Sequence, residues 1–376
     1  ERSLQWCATC ETALAKHECE YKTLNEDSIF LKFPVKGKKN EYLIIWTTTP
    51  WTIVFNMAIM VNPEVEYIRA KVGEEKWIVA KTLAGVFIRG VAEKDFEILE
   101  EFKGDKLKGL EYHHPWEKEI PQFKEFKKKN PNTHTVVLSE EYVRADSGSG
   151  LVHCAPGCGP EDYEVGHLNH IPPFNTLDER GTFPKNMGKF AGLQAKKDDK
   201  KFIEFLQESG ALIAVTKVEH EYAHCQRCHQ PVVFKVTPQW FFKVEDLREK
   251  MARANEKILW HPSAAKNAFA SWLENLRDNS ITKQRFWGTP VPIWQCDECK
   301  GKNVIGSIKE LEKLAGKLPE NLHKPWIDEV VIPCECGGKQ KRIPDVLDVW
   351  IDAGTTSWTC LYYPQRKDLL KEWFPV

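Results

Sequence analysis

The sequence of 376 residues lacks a strong excess of charge of either sign. Its 53 Lys and Arg residues are balanced by 54 Asp and Glu residues, which leaves a formal net charge of -1. A strongly basic protein attracts nucleic acid through the field of the whole molecule. That mode of binding is excluded here, and any contact with RNA must come from local patches.

The chain also lacks a long hydrophobic run. No apolar segment approaches the ~20 residues that span a bilayer, and no secretory signal pattern is present. We therefore expect no membrane partner. The chain opens with Glu1 rather than Met, which we interpret as a piece of a longer protein. Its length and its hydrophobic content of 42% predict two or three domains with cores of their own.

Cysteine is abundant by contrast, and its spacing is informative. Eight of the twelve cysteines fall in close pairs, a spacing typical of the knuckles that hold tetrahedral zinc. In an intracellular protein, metal binding is favoured over disulfide formation. The alternative is eight unrelated core cysteines. The pairs are Cys7/Cys10, Cys225/Cys228, Cys296/Cys299 and Cys334/Cys336.

The four pairs divide into two predicted zinc sites. Cys7 and Cys10 have no neighbouring pair, so we expect them to complete one site with Cys225 and Cys228. Residues 11–224 would then be a domain inserted into a zinc module. The remaining two pairs form a second site of the ribbon type. Four thiolates leave no open position, so both zinc ions are expected to be structural.

Local patterns predict a mixed α+β chain. Short β-branched and aromatic runs such as "EYLIIWTTTP" and "VEYIRAKV" are typical of a barrel or compact β-fold. An amphipathic helix is predicted over "KKDDKKFIEFLQESG", ended by Gly210. Two further helices are predicted over "VEDLREKMARANEKI" and "AAKNAFASWLENLRD", and another opens near Pro160–Asp162. The Lys-rich "KEFKKKNPN" predicts a solvated loop, with a phosphate contact as the alternative.

Five motifs occur in a fixed order along the chain: "WTTTPWT", "AIMVNP", "GSGLVHCAPGCGPEDY", "ITKQRFWGTPVPIW" and "DVLDVWIDAG". Together they resemble the class I isoleucyl-tRNA synthetases of the archaeal and eukaryotic branch, over essentially the whole chain. The related valine and leucine enzymes carry an arginine where this chain has Thr49. A valyl-type editing fragment is the alternative within the superfamily, and Thr49 argues against it.

The resemblance implies a multidomain α+β architecture. A β-barrel editing domain is inserted in a zinc module, followed by part of a Rossmann-type catalytic domain with a second zinc insertion. The implied segments are the first half of the zinc module (1–25), the editing domain (26–218), the second half of the zinc module (219–237), the return to the Rossmann domain (238–291), the second zinc-bearing insertion (292–340) and a truncated second Rossmann half (341–376).

The resemblance also implies a function. The parent enzyme would attach isoleucine to tRNA(Ile) with ATP and Mg, as a monomer in the cytoplasm. This chain lacks the HIGH-type and KMSKS-type ATP motifs of the family, so we expect no synthetic activity from it alone. We expect editing instead: water-mediated, non-covalent hydrolysis of valine from mischarged Val-tRNA(Ile).

Five catalytic residues follow from the resemblance. Asp162 would bind the α-ammonium of the aminoacyl ester, with a helix cap as the alternative role. Thr47, Thr48 and Thr49 would contact the ester carbonyl, the terminal adenosine or the attacking water. His153 would lie against the substrate side chain and the ribose.

Three tryptophans are candidate substrate-binding residues. Trp46 and Trp51 flank the threonines, and Trp287 would line the amino-acid pocket of the synthetic site. The chain departs from the family at Cys158, where a histidine is frequent, and at residues 53–55, which leaves the fine shape of the pocket open.

Two simpler interpretations remain. The threonine run by itself suits an edge strand ended by Pro50. The whole chain could be a zinc-ribbon RNA-binding module without chemistry, although that leaves the threonines and Asp162 unexplained. Cys154 is not expected to form a dyad with His153, because adjacent strand residues point to opposite faces.

Overall fold

The computed structural model describes residues 2–374, apart from the side chain of Asn279. The chain divides into two compact units, with the boundary between Pro238 and Gln239. None of the helices in residues 2–374 combines the length and the apolar character that crossing a membrane requires.

The first unit contains three sheets with the strand orders β11-β3-β4-β7-β6-β8, β10-β5-β9 and β12-β1-β2. Its helices are α1 (Lys81–Ala84), α2 (Gln122–Lys129), α3 (Pro160–Leu168) and α4 (Asp199–Glu208). Its strands are β1 (Arg2–Cys7), β2 (Thr12–Leu14), β3 (Cys19–Pro34), β4 (Glu41–Thr47), β5 (Ala58–Val61), β6 (Glu66–Val72), β7 (Glu75–Ala80), β8 (Glu97–Lys103), β9 (Thr135–Leu138), β10 (Val152–Cys154), β11 (Leu212–Cys225) and β12 (Val233–Thr237).

Strand β4 is buried on both of its faces, which is why its sequence reads as a nearly continuous apolar run. Leu43 and Ile45 belong to the main core of the unit. Ile44 and Trp46 belong to a second cluster on the opposite side of the sheet. Since side chains alternate along a strand, Thr47 at the end of β4 lies on the main-core side.

The six-stranded sheet and the sheet β10-β5-β9 are joined through a short bridging segment. Tyr112 pairs with Val35, just beyond the end of β3, and Glu111 pairs with Thr135 at the start of β9. The sheets therefore wrap around one main core. The predicted barrel is represented in the described residues by two sheets joined at one side, rather than by a continuous hydrogen-bonded ladder.

Two long-range pairings organise the region around the first cysteine pairs. Strand β1 pairs with β12, from Arg2 opposite Thr237 to Trp6 opposite Val233. Strand β3 pairs with β11 along most of its length, ending with Cys19 opposite Cys225. These ladders bring the N-terminal knuckle next to the knuckle that follows β11.

Most predicted helices are confirmed. Helix α3 begins at Pro160, and α4 ends before Gly210, which has the left-handed φ of 71° that favours glycine. The loop prediction for the Lys-rich run was wrong, because most of this run forms α2. The buried Phe123 anchors that helix to the core, and Lys127 Nζ donates to backbone carbonyls just beyond its C-terminus.

The second unit is built around a four-stranded antiparallel sheet of order β17-β16-β19-β18. Its helices are α5 (Arg248–Asn255), α6 (Ala264–Glu274), α7 (Ile308–Ala315), α8 (Val349–Thr359) and α9 (Lys367–Trp373). Its strands are β13 (Phe241–Phe242), β14 (Asn279–Ser280), β15 (Thr282–Lys283), β16 (Ile293–Cys296), β17 (Lys302–Val304), β18 (Val331–Pro333), β19 (Lys339–Arg342) and β20 (Val346–Leu347).

A small core supports the four-stranded sheet, formed by Trp294 with Ile305, Leu311, Ile327 and Ile332. The predicted helices α5 and α6 are confirmed. Outside this sheet, the described strands of the unit pair only as two-stranded antiparallel ribbons. No parallel sheet forms within the described part of the unit, so its contribution to a Rossmann fold stays a prediction.

Candidate active site

A cavity of about 200 Å³ opens in the first unit, where the turn after β4, the end of β10 and the start of α3 meet. Several predicted residues lie on its walls together with others that the sequence did not suggest. The residues that matter for its chemistry are Thr49, Thr52, His153, Asp162, Tyr222 and Phe234.

The threonine run forms a tightly hydrogen-bonded turn. Strand β4 ends at Thr47, and Pro50 opens a 3-10 helix over Pro50–Phe55, a position where its missing N–H costs nothing. The backbone N–H of Thr49 donates to Thr47 Oγ1 at 3.1 Å. The Thr49 carbonyl accepts from the N–H of Thr52 at 3.1 Å and from its hydroxyl at 2.7 Å.

These contacts give the three threonines different positions. Thr49 lines the cavity. Thr48 is half-buried, with its Oγ1 3.4 Å from Thr49 Oγ1. Thr47 is buried, and its hydroxyl is used within the turn. Of the three threonines, Thr49 therefore lines the cavity, whereas Thr47 and Thr48 do not.

Thr52 is a cavity residue that sequence reasoning missed. Its Oγ1 lies 3.0 Å from Nε2 of His153. In a 3-10 helix, residues three positions apart lie on the same side. The spacing from Thr49 to Thr52, with Pro50 at a helix start, is the signal that could have identified it.

The hydrogen bonds around His153 assign its tautomer. The single hydroxyl proton of Thr52 is donated to the Thr49 carbonyl, so Thr52 accepts a proton from Nε2 of His153. Nδ1 is then a bare acceptor, and it is buried without a hydrogen-bond partner among the described residues. Burial lowers the pKa of His153 to about 4, so the ring is neutral at physiological pH.

Asp162 lies in the first turn of α3 on the same cavity. Its Oδ1 accepts a hydrogen bond from the backbone N–H of Ala155 at 2.8 Å. Burial and the neighbouring Glu161 raise the pKa of Asp162 to about 7, although the Ala155 N–H acts in the opposite direction. Within residues 2–374 no cation pairs with this carboxylate. A cationic group placed in the cavity would therefore be attracted to it.

The backbone before α3 is shaped around this carboxylate. A Cβ added to Gly159 would lie 2.2 Å from Asp162 Oδ2, so a side chain there would displace the acid. Cys154 turns its Sγ toward the backbone carbonyl of Asp162 at 3.7 Å. Cys158 is on the cavity wall, its Sγ accepting from Nδ2 of Asn175 at 3.4 Å. Burial raises the pKa of both thiols, which disfavours a thiolate nucleophile.

The three tryptophans lie in different environments. Trp51 is 1% exposed and lines the cavity. Trp46 lies on the opposite face of β4, with its ring 6.4 Å from that of Phe30, so it does not line the cavity. Trp287 belongs to the second unit, where it is exposed and stacks on His323 with ring centroids 4.6 Å apart.

The first cysteine cluster lies at the junction of β1 and the end of β11. The Sγ atoms of Cys7, Cys10, Cys225 and Cys228 all lie within 4.8 Å of one another. The closest approach, Cys7 to Cys228, is 3.4 Å. Tetrahedral zinc with Zn–S bonds of ~2.3 Å separates its sulfurs by ~3.8 Å. The four thiols therefore fit a metal ion of this kind.

The second cluster has the same character and lies at the turns of the four-stranded sheet. The Sγ atoms of Cys296 and Cys336 are 3.6 Å apart, as are those of Cys299 and Cys334. All four sulfurs lie within 4.8 Å of one another. The backbone N–H of Glu298 donates to Sγ of Cys296, and that of Gly301 donates to Sγ of Cys299. This cluster too could hold a metal ion.

Comparisons with known proteins agree on one family. A family model described as tRNA synthetases class I (I, L, M and V) matches residues 1–376. The chain is 43% identical over 390 residues to the isoleucine–tRNA ligase of Methanopyrus kandleri, covering 99% of this chain and 36% of that protein. It is 42% identical over 379 residues to that of Methanothermobacter thermautotrophicus, covering 100% and 35%.

The chain spans about a third of the length of the curated relatives it matches. Among solved structures, it is similar to the crystal structure of GlLeuRS-CP1, with a TM-score of 0.37 and 16% identity, covering 50% of this chain and 96% of that one. That likeness is too distant to support a conclusion.

Proposed function

Because this chain belongs to the class I tRNA synthetases for isoleucine, leucine, methionine and valine, we propose that it is the editing part of an isoleucine–tRNA ligase and hydrolyses valine from mischarged tRNA(Ile). The observation that carries the proposal is the cavity that Asp162 shares with Thr49, Thr52 and His153. The isoleucine–tRNA ligases among its relatives support the choice of amino acid.

The need for such a site follows from the size of the two amino acids. Valine is isoleucine without one methylene, so a pocket that accepts isoleucine cannot exclude it. The missing methylene costs only ~1–3 kcal/mol, a general figure known for this enzyme class and not one worked from this structure. A second pocket that is too narrow for isoleucine adds discrimination, because overfilling a packed site also costs roughly 1–3 kcal/mol.

Asp162 binds the α-ammonium of the valyl ester in this proposal. Its carboxylate is disfavoured by burial, as the raised pKa of about 7 indicates. An ammonium group next to it restores the ionised form and forms a charge-assisted hydrogen bond. Asp162 thereby binds the α-ammonium group, which all aminoacyl esters carry. The cavity walls discriminate between amino-acid side chains by their size.

The hydroxyl and imidazole groups orient the ester and the water. The hydroxyl of Thr49 donates a hydrogen bond to the ester carbonyl oxygen, and the neutral ring of His153, held by Thr52, lies against the ribose and the substrate side chain. Water then attacks the carbonyl carbon and the bond to the ribose oxygen breaks. The ribose oxygen takes up one proton of the attacking water, and valine leaves as its carboxylate after losing the other proton to solvent. The buried thiols of Cys154 and Cys158 stay protonated, which supports a non-covalent route.

We assign a structural zinc ion to each cysteine cluster. The sulfur spacing fits tetrahedral coordination by Cys7, Cys10, Cys225 and Cys228, and likewise by the four cysteines of the second unit. A bound ion would fix the junction between β1, β11 and β12, and the turns of the four-stranded sheet. Both ions would have four protein ligands and no position for substrate.

We also propose the domain boundaries and the substrates of the parent enzyme. Residues 26–218 are taken as the editing domain, with residues 238–291 and 341–376 belonging to the synthetic domain around the second zinc insertion. The parent would use ATP, Mg and isoleucine, with Trp287 in its amino-acid pocket, as a cytoplasmic monomer.

The test is a deacylation assay on one preparation of the chain. Valine release from Val-tRNA(Ile) is measured with enzyme in excess and at low salt, because we expect a chain of net charge -1 to bind tRNA weakly and in a salt-dependent manner. Isoleucine-dependent pyrophosphate exchange is measured in parallel. We expect valine release without exchange. Exchange above background, or no release at any enzyme concentration, would contradict the proposal.

A matched pair of variants makes the assay specific. Asp162→Asn removes the charge of the cavity acid and is expected to lower valine release at least about tenfold, since charged hydrogen bonds contribute roughly 1.5–3 kcal/mol before any effect on the transition state. Glu125→Gln removes an exposed acid from the first turn of α2 and should leave the rate unchanged.

A further inference from the structure

A cluster of ionisable side chains lies behind the cavity wall, and the proposed reaction does not use it. Nζ of Lys196 lies 2.5 Å from Oε2 of Glu26 and 3.7 Å from Oδ2 of Asp199. Nε2 of His220 lies 3.1 Å from the same oxygen of Glu26. The Lys196 side chain is only 6% exposed. These four residues are called the Lys196 cluster below.

The Lys196 cluster supports two separate walls of the cavity. Nζ of Lys196 lies 4.3 Å from the ring centroid of Tyr222, a contact of cation–π type, and that ring lines the cavity. Helix α4, which begins at Asp199, packs against the 3-10 helix Pro50–Phe55. The backbone N–H of Trp51, at the start of that 3-10 helix, acts to lower the pKa of the Asp199 carboxyl group, against the effect of burial.

Stability alone does not account for this cluster. Burying an ion pair removes both charges from water, and replacing it by apolar groups is often neutral or stabilising. Oδ1 of Asp199 is buried and has no hydrogen-bond partner among the described residues, a further cost. Burial also raises the pKa of Asp199 to about 7. What the cluster does provide is a fixed geometry for the Thr49–Thr52 turn and for Tyr222.

We propose that Lys196 and Asp199 are positioning residues that hold the cavity too narrow for isoleucine. This inference rests on the proposed editing function. A wall excludes one extra methylene only if it cannot move, because a pocket that relaxes loses the cost of overfilling. Lys196 fixes the Tyr222 wall and Asp199 fixes the turn that carries Thr49 and Thr52, so loosening either should admit the larger amino acid.

The test compares two substrates on one variant. Lys196→Met keeps the length and apolar stem of the side chain but removes its charge. We expect its release of isoleucine from Ile-tRNA(Ile) to rise about tenfold, while its release of valine from Val-tRNA(Ile) stays within about threefold of wild type. A purely structural role would lower both rates together, so the ratio separates positioning from loss of fold.

A control variant and a second test variant complete the experiment. Lys217→Met removes an exposed ion pair with Asp27 on the same strands, β11 and β3, and should leave the ratio unchanged. Asp199→Asn keeps the shape of the carboxylate and should reproduce the effect of Lys196→Met. An unchanged ratio in either folded variant would overturn the inference, and so would unfolding of both. Failure of wild type to release valine would instead contradict the proposed function itself.

Discussion

Replacing Asp162 by asparagine should make the protein more stable at neutral pH while it removes the proposed activity. Asparagine has the shape of the carboxyl group, and its Oδ1 can still accept the hydrogen bond from Ala155 N–H. It carries no charge that burial would penalise. A carboxylate that binds a cationic ligand destabilises the ligand-free protein, because it is buried without a counter-charge. A carboxylate that only caps a helix would not have this effect.

The expected magnitude follows from the pKa. Folding raises the pKa of Asp162 from 3.8 to about 7, so between these values the unfolded chain binds fewer protons than the folded one. The free energy of unfolding of wild type therefore falls as the pH rises from about 4 to 7, relative to the variant. The upper limit is about 4 kcal/mol. Because Asp162 is only half-buried, solvent screens part of this effect. We therefore expect the variant to exceed wild type in unfolding free energy by about 1–3 kcal/mol at pH 8.

Urea unfolding at several pH values tests this expectation. The difference in unfolding free energy between Asp162→Asn and wild type should be near zero at pH 4 and should reach its plateau above pH 7. Glu125→Gln serves as the control and should differ from wild type by less than about 0.5 kcal/mol at every pH. An Asp162→Asn variant that is less stable than wild type at pH 8 would show that the carboxylate is structural.

Three further outcomes are expected. Freshly purified protein should contain two zinc ions per chain by metal analysis, and replacing Cys296 with serine should remove one; a content of one or none in wild type would refute the assignment. Valine release should decline below pH 7 as Asp162 becomes protonated, and His153→Gln should keep that midpoint, because the pKa of His153 is about 4; a midpoint that moves would assign the titration to the histidine. Thr52→Val should lower valine release by roughly tenfold through loss of the hydrogen bond to His153, with an unchanged rate in a folded variant counting against a role for that contact.

Spacing rules predicted the parts of the site that depend on local chemistry. The cysteine pairs could be grouped because metal ligands recur at short, fixed intervals, and the structure brings each predicted group of four sulfurs together. The start of α3 could be placed because Pro160 suits the first helical position and follows a glycine. Both inferences depend on a few neighbouring residues and on little of the tertiary structure.

The remaining cavity residues depend on tertiary pairing that no local pattern encodes. Tyr222 and Phe234 reach the cavity from β11 and β12, far along the chain from the threonines. Trp46 and Thr47 are neighbours in sequence, yet they face opposite sides of β4, which is buried on both. Helix α2 was missed because its lysines suggested a loop, while Phe123 decided the outcome by packing into the core.

The most direct test of the account asks whether the cavity recognises the charge of the substrate amine. Val-tRNA(Ile) and its N-acetylated form, which lacks the ammonium charge, are hydrolysed in single turnovers by wild type and by Asp162→Asn. We predict that acetylation slows hydrolysis by wild type at least about tenfold and has little effect on the variant, because each change removes the same ion pair. Equal hydrolysis of the two substrates by wild type would contradict the assignment of Asp162 as the ammonium site.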